Sequence, residues 1–352
     1  MSRVRSLNLF IAVLCLTVWG IAACSKSAEE GAKFDADGTA HVTRVIPMPA
    51  TVSAESQKWL ESLAHRNWAP QTLAERRAAT DQWRAEDSAE ARKIFPVKVE
   101  EKMIAGVRTD IITPDGLPEQ NRSRVLINLH GGGFNSDSGS LIEGVPIASL
   151  AKTKVVSIYY RLAPENPFPA AVDDVVRVYT ELSKEYKPAS IGIFGTSAGA
   201  ILTGEVAVKL KQLGLPLPGA LGIFSTLADF SKRGDSLSFF TLDGLPGTLL
   251  PPDPHGGHPN EYAGNADRKD PVLSPVYADL HGFPPSLLIT STRDLLLSDT
   301  TIFHRVLLRA GNDSQLVVFE ALPHAFWYHF QLPETRECLA LMANFFDQKV
   351  AR

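Results

Sequence analysis

The spacing of apolar residues changes twice along this chain. Leu9 to Leu16 is an unbroken apolar run, continued to Ala23 with only Thr17 and Gly20 interrupting it. From about Ala50 to Ala91 the spacing is helical. Trp59, Leu60, Leu63 and Ala64 share one face, and Thr72 followed by Glu75 is a capping-box pattern opening a second helix that carries Trp83. Further on, short apolar runs each lead into loop residues: Val125–Leu129, Val155–Tyr159, Ile191–Phe194, Leu221–Phe224, Leu287–Ile289 and Leu316–Phe319. Helical stripes lie between most of them. One is Val172, Val175, Val176, Tyr179 and Leu182; another is Ile302, Phe303, Val306 and Leu307, stopped by Gly311 at a C-cap. Runs apolar on both faces, alternating with helices, predict an α/β fold: a mostly parallel central sheet with helices on both faces. Residues 231–262 are rich in Gly, Pro and aromatics, lack a strand signal, and read as an insertion.

The first apolar run follows Arg3 and Arg5 and ends in small residues, the layout of a secretory signal, and it is short for a membrane span. Its exit, Ile21-Ala22-Ala23-Cys24, resembles the bacterial lipobox. The expectation is a signal peptide over 1–23, lipid on Cys24, and a polar, aperiodic tether over 24–48. The protein would then be an exported lipoprotein anchored in the bacterial envelope; without lipidation it would be periplasmic or secreted. The composition of the full 352-residue chain is that of a globular protein, with 44% hydrophobic and 21% charged residues. Three cysteines exclude a disulfide scaffold. With Cys15 removed and Cys24 lipidated, Cys338 has no partner. A net charge of -4 gives no basic face for nucleic acid.

Three segments carry chemistry. Gly195-Thr196-Ser197-Ala198-Gly199 sits between an apolar run and a helical stretch. Flanking glycines permit a sharp strand-to-helix turn that exposes Ser197 as a nucleophile. A serine hydroxyl is weak, so it needs a base, and the base needs an orienting acid. Asp294 and His324 each follow a strand run, as Ser197 does, and in a doubly wound sheet those ends converge. The rivals are Asp299, expected to cap the next helix, and His329, expected to pack beside Trp327 and Phe330. The third segment is His130-Gly131-Gly132-Gly133-Phe134, whose backbone N–H groups can face an oxyanion. It does not fit a phosphate loop, because no Lys-Ser/Thr pair follows and position 136 is Ser. His255 and His258 near Asp253 read as a structural loop, not a metal site, because glycines hold the ligands poorly. Tyr262, Phe239, Phe240, Phe326 and Trp327 are candidates for an acyl pocket or for core packing.

In this order, His130–Phe134, Tyr160-Arg161-Leu162-Ala163-Pro164-Glu165 through Ala170, Gly195–Gly199, Asp270-Pro271, Gly282-Phe283-Pro284-Pro285, Asp294-Leu295-Leu296 and His324-Ala325-Phe326 resemble the bacterial hormone-sensitive-lipase-like (family IV) esterases. The resemblance runs from about residue 46 to the C-terminus. It implies the α/β-hydrolase fold with a helical cap, drawn here from residues 49–93 and the 231–262 insertion over a catalytic domain spanning 94–352. It implies Ser197 as nucleophile, Asp294 as acid, His324 as base, and the N–H groups of Gly132, Gly133 and Ala198 as oxyanion donors. His130, Gly131, Gly195 and Gly199 support that motif geometry. Thr196 stands where the family often has Asp, as in one of its branches; Tyr160 and Asn166 are further departures, and none removes a catalytic group. The expected activity is serine carboxylesterase action on short- to medium-chain esters, with no cofactor or metal and a small ester as the partner. A lactonase, an amidase, or an inactive envelope binding protein of the same fold are the alternatives. A homo-oligomer is compatible with this reading.

Overall fold

The short apolar runs become an eight-stranded sheet in the computed structural model, which describes residues 33–42, 44–64, 72–232, 234–246 and 260–352. The expected signal segment, Cys24, and the His255–His258 loop lie outside the described residues. The chain divides into two compact units, 1–48 and 49–352. In the first, where an aperiodic tether was expected, β1 (Lys33–Phe34) and β2 (Ala40–His41) pair antiparallel. Gly38, at φ 89°, makes the turn that a side chain would disfavour.

The second unit begins with α1 (Ala54–Ala64) and α2 (Leu73–Ile94). The Thr72 hydroxyl accepts from Glu75 N while Glu75 accepts from Thr72 N, so the capping box is formed. Then come β3 (Val97–Ile104), β4 (Val107–Pro114), β5 (Val125–Leu129), α3 (Ser140–Ala151), β6 (Lys154–Ile158) and α4 (Ala170–Leu182). They are followed by β7 (Ile191–Thr196), α5 (Ala198–Gln212), β8 (Ala220–Phe224) and two four-residue helices, α6 (Ser236–Phe239) and α7 (Asn260–Ala263). The unit closes with β9 (Ser286–Ser291), α8 (Leu297–Arg309), β10 (Ser314–Phe319) and α9 (Pro333–Lys349).

The strand order is β10-β9-β8-β7-β5-β6-β4-β3. All neighbours from β6 to β10 run parallel; β3 and β4 run antiparallel at one edge. The pattern of apolar runs predicted no strand before Val125, and β3 and β4 correct it. The alternation of β3 is overwritten by Glu100, Glu101 and Lys102, and only Ile104 of that strand is buried. Charges of this kind blunt an exposed sheet edge against pairing with another chain. The hairpin signal is short: Ala105 and Gly106 both have positive φ, at 49° and 78°, as a two-residue hairpin turn requires.

Alternate residues of each central strand enter opposite cores. Leu221 and Ile223 pack with α4, α5 and α8; Ala220 and Phe224 pack with α3 and α9. On α4, Val172, Val175, Tyr179 and Leu182 are buried as their spacing requires, and each aliphatic member contributes about 1.5–3 kcal/mol. Gly311 adopts φ 75° just beyond α8, the expected helix stop. The chain leaves β5 for β6, then returns to the other side of β5 as β7. The C-terminal ends of β5 and β7 therefore flank the topological switch, where ligands of open α/β sheets bind.

Candidate active site

Ser197 occupies the one-residue turn between β7 and α5, at φ 58° and ψ −120°, a conformation that non-glycine residues rarely adopt. The turn is held by Ser197 N donating to Phe224 O (3.0 Å) and Ile201 N donating to Ser197 O (3.0 Å). The motif glycines are explained by the end of β5, which crosses behind the turn. A Cβ on Gly199 would lie 1.7 Å from Leu129 O, and one on Gly195 would lie 2.3 Å from the same oxygen. The glycine loop following β5 comes equally near: a Cβ on Gly131 would lie 3.5 Å from Ser197 Cβ. Ser197 itself is half-buried.

Asp294 and His324 meet beyond β9 and β10. His324 Nδ1 lies 2.9 Å from Asp294 Oδ1. Leu296 N donates to the same oxygen (2.9 Å), while Thr290 Oγ1 (2.9 Å) and Ser225 Oγ donate to Oδ2. Burial of Asp294 pushes its carboxyl up. The His324 imidazole and these hydrogen bonds outweigh that and hold it below the usual carboxylate range. An ionised Asp294 keeps the proton on Nδ1 and leaves Nε2 as the acceptor.

Ser225 completes this group: its hydroxyl lies 2.8 Å from His324 Nδ1 while donating to Asp294. It has φ 59° and follows β8 as Ser197 follows β7. Sequence reasoning passed over it, although its place after the run Leu221–Phe224 was a usable signal.

The glycine loop is buttressed from several directions. His130 stacks on Tyr160 with ring centroids 4.1 Å apart, and Tyr160 OH donates to His130 O (2.6 Å). Gly132 and Gly133 have φ 107° and 61°. Among the described residues neither N–H donates to a protein acceptor. Ala198 N–H, in the first turn of α5, likewise has no intrahelical partner. Behind the loop, Asp137 accepts from Gly139 N, Ser140 N and Ser140 Oγ, and Arg84 of α2 reaches it at 2.5 Å. Burial raises the Asp137 carboxyl, but nearby His130 and Arg84 bring it below its ordinary value. Arg77 of α2 donates to Asn135 O (2.6 Å) and Ala163 O (2.9 Å), and pairs with Glu165. None of Asp137, Arg84 or Arg77 carried a signal in the sequence.

Beneath the turn, Thr196 donates to the fully buried Glu143 and accepts from Trp327 Nε1 (3.0 Å). Asn128 Nδ2 also donates to Glu143 (2.9 Å). Burial pushes the Glu143 carboxyl up to about 8.

The rival residues lie elsewhere. Asp299 sits buried in the first turn of α8 and makes no capping hydrogen bond, contrary to expectation; burial and nearby Asp229 push it up to about 7. His329 lies against Trp59 of α1, with ring centroids 4.2 Å apart and planes tilted by 46°. Tyr262 is core: it stacks 3.4 Å from Phe134 and donates to buried Glu205 (2.5 Å). Phe326 and Trp327 are also buried in the core, whereas Phe239 is exposed. Among the described residues no group of three metal-ligating side chains occurs, and no helix is long and apolar enough to cross a membrane. Cys338 is a free, buried thiol.

Comparison with known proteins adds to this geometry. A sequence profile described as alpha/beta hydrolase fold matches residues 126–328. An acetyl-hydrolase of Streptomyces hygroscopicus is 32% identical over 235 residues, covering 65% of this chain and 77% of that protein. An esterase of Acinetobacter venetianus is 28% identical, covering 72% of this chain and 84% of its own length. Among solved structures, one esterase is 35% identical with a TM-score of 0.76, covering 89% of this chain and 99% of that one. Another, from the bacterial hormone-sensitive lipase family, is 28% identical with a TM-score of 0.72, covering 85% and 99%.

Proposed function

Since the chain belongs to the bacterial hormone-sensitive-lipase-like esterases of α/β-hydrolase fold and is a carboxylic ester hydrolase, we propose that it works through a Ser197–His324–Asp294 triad and an acyl-enzyme. His324 Nε2 takes the proton from Ser197 as its Oγ attacks the ester carbonyl. The tetrahedral oxyanion is received by the N–H groups of Gly132, Gly133 and Ala198. His324 then protonates the departing alcohol, and water activated by the same nitrogen releases the acid. Asp294 orients the imidazole and stabilises its charged form, and Ser225 fixes both partners. The observation that carries this reading is the His324–Asp294 pair at 2.9 Å, on the same strand-end edge as a serine held at φ 58°.

The preferred substrates are short- to medium-chain esters. The basis is the expected cap over residues 49–93 and 231–262, which would limit the room for an acyl chain. Each buried CH₂ contributes about 0.8 kcal/mol until the space is filled. Rates on p-nitrophenyl esters should rise from acetate towards butyrate or hexanoate and fall for long chains. A preference for C16 over C4 esters would refute the capped pocket. We also infer export with lipid on Cys24, supported by the Arg3–Cys24 pattern. Mass spectrometry of the mature N-terminus tests it; an unmodified residue there refutes the lipid anchor.

A further inference from the structure

The guanidinium of Arg77 on α2 reaches the back of the glycine loop. Arg77 Nε donates to Asn135 O at 2.6 Å. That carbonyl belongs to the peptide unit whose N–H is on Ser136, and Ser136 N donates to Gly132 O at 3.1 Å. The Gly132 carbonyl in turn belongs to the peptide unit whose N–H is on Gly133. Two peptide groups thus connect a fixed positive charge to the Gly133 N–H, each accepting at its oxygen and donating at its nitrogen. Hydrogen bonds aligned in this sense polarise one another, and the last donor is strengthened most by a charge at the head of the series.

The same side chain fixes the loop's position. Arg77 Nη2 donates to Ala163 O at 2.9 Å, and Ala163 N donates to Phe134 O at 2.9 Å, so the loop is tied at Phe134 as well as at Asn135. The Glu165 carboxylate takes the outer edge of the guanidinium at 2.7 and 2.8 Å. Gly133 is exposed, at φ 61°, and a Cβ there would meet only Asn135 Oδ1, at 3.9 Å.

We propose that Arg77 is a positioning residue for the reaction, orienting and strengthening the Gly133 N–H through the Asn135–Ser136 and Gly132–Gly133 peptide groups. The inference rests on the reading of Gly133 as an oxyanion donor. Helix α2 is then more than a roof: it sets the electrostatics of the transition state from outside the strand-end edge.

Arg77→Ala, Arg77→Lys and Glu165→Gln are compared on p-nitrophenyl butyrate, with thermal melts on each. An oxyanion donor acts in the transition state far more than in the ground state, and losing one outright costs about 10²–10³ in kcat. Weakening one should lower kcat about tenfold or more in Arg77→Ala, with KM within about threefold, and millimolar guanidinium should restore part of the rate. Arg77→Lys, a point charge that cannot bridge two carbonyls, should fold and still fall short of wild type in kcat. Glu165→Gln should lose less than about threefold, because it leaves both carbonyl contacts in place. Wild-type kcat in either Arg77 variant, or a change confined to KM, overturns the proposal. Labelling by a p-nitrophenyl phosphonate separates the two levels. Ser197 labelled in every variant with kcat unchanged defeats Arg77 alone; Ser197 unlabelled in wild type defeats the triad reading itself.

Discussion

On one side of the site, Ser197, Asp294 and His324 each stand one to five residues beyond the end of β7, β9 or β10, and their partners Ser225 and Thr290 come from the neighbouring strand β8 and from β9. On the other side, the glycine loop follows β5 but leans on Arg77 and Arg84 of α2, on Tyr160 beyond β6, and on Tyr262 of α7. The first side is positioned by the sheet itself. The second is positioned by side chains from three separate segments. The difference teaches that reacting groups can be placed by a scaffold's register alone, whereas backbone donors in glycine-rich chain need outside support, because glycine brings no side chain of its own to pack.

The comparison breaks first on the sheet-held side. Ser197→Ala and His324→Ala should each lower activity by about 10⁴ or more while leaving the fold intact, since nucleophile and base act as a unit. His329→Ala should leave catalysis near wild type; the reverse pattern would move the base to the residue that lies against Trp59. On the loop-held side, Asp137→Asn should lower both kcat and stability, the latter by about 1–3 kcal/mol, because it weakens three acceptor contacts and leaves Arg84 paired with Asp81 alone. A melting temperature and kcat both equal to wild type would show that the loop needs no such brace. Ser225→Ala should be milder, a few-fold loss in kcat, since Asp294 retains three other donors.

The smallest effect is on pH and stability, and it sets Glu143 against Asp137 and Asp294. Glu143 binds its proton more tightly folded than unfolded, at about 8 against an ordinary 4.5. Its contribution is therefore complete below about 4.5 and is lost as pH rises through 8, by up to about 1.4 kcal/mol per unit. Asp137 and Asp294, held below the ordinary range, act with the opposite sign: their contributions are present at neutral pH and are lost on acidification. Glu143→Gln should flatten the alkaline side of the stability profile and leave the acid side unchanged. Melts at pH 6 and pH 8 on both proteins would show it, and parallel profiles would contradict it.

Five of the six parallel strands, β5 to β9, were legible because each is buried on both faces and so reads as a largely apolar run; β10 is partly exposed and was legible from its apolar stretch Leu316–Phe319. β3 and β4 were not, because a solvent-facing edge carries charge where the pattern looks for apolar residues. Within the site, the positions of Ser197, Asp294 and His324 were legible for a local reason: each lies within five residues of the end of its strand. Ser225 follows the same rule and was within reach. Arg77, Arg84 and Asp137 were not, because their meaning lies in contacts across 53 to 88 positions of sequence. Glu143 carried no signal in the sequence; only the fold buries it beneath Thr196.

The most direct test of the central claim is peptide-level mass spectrometry of the enzyme after inactivation by a p-nitrophenyl phosphonate. A single phosphonyl adduct on Ser197, formed in step with loss of esterase activity and absent from His324→Ala over the same interval, is the predicted result. Full inactivation with the adduct on another residue, or with Ser197 unmodified, would contradict the account.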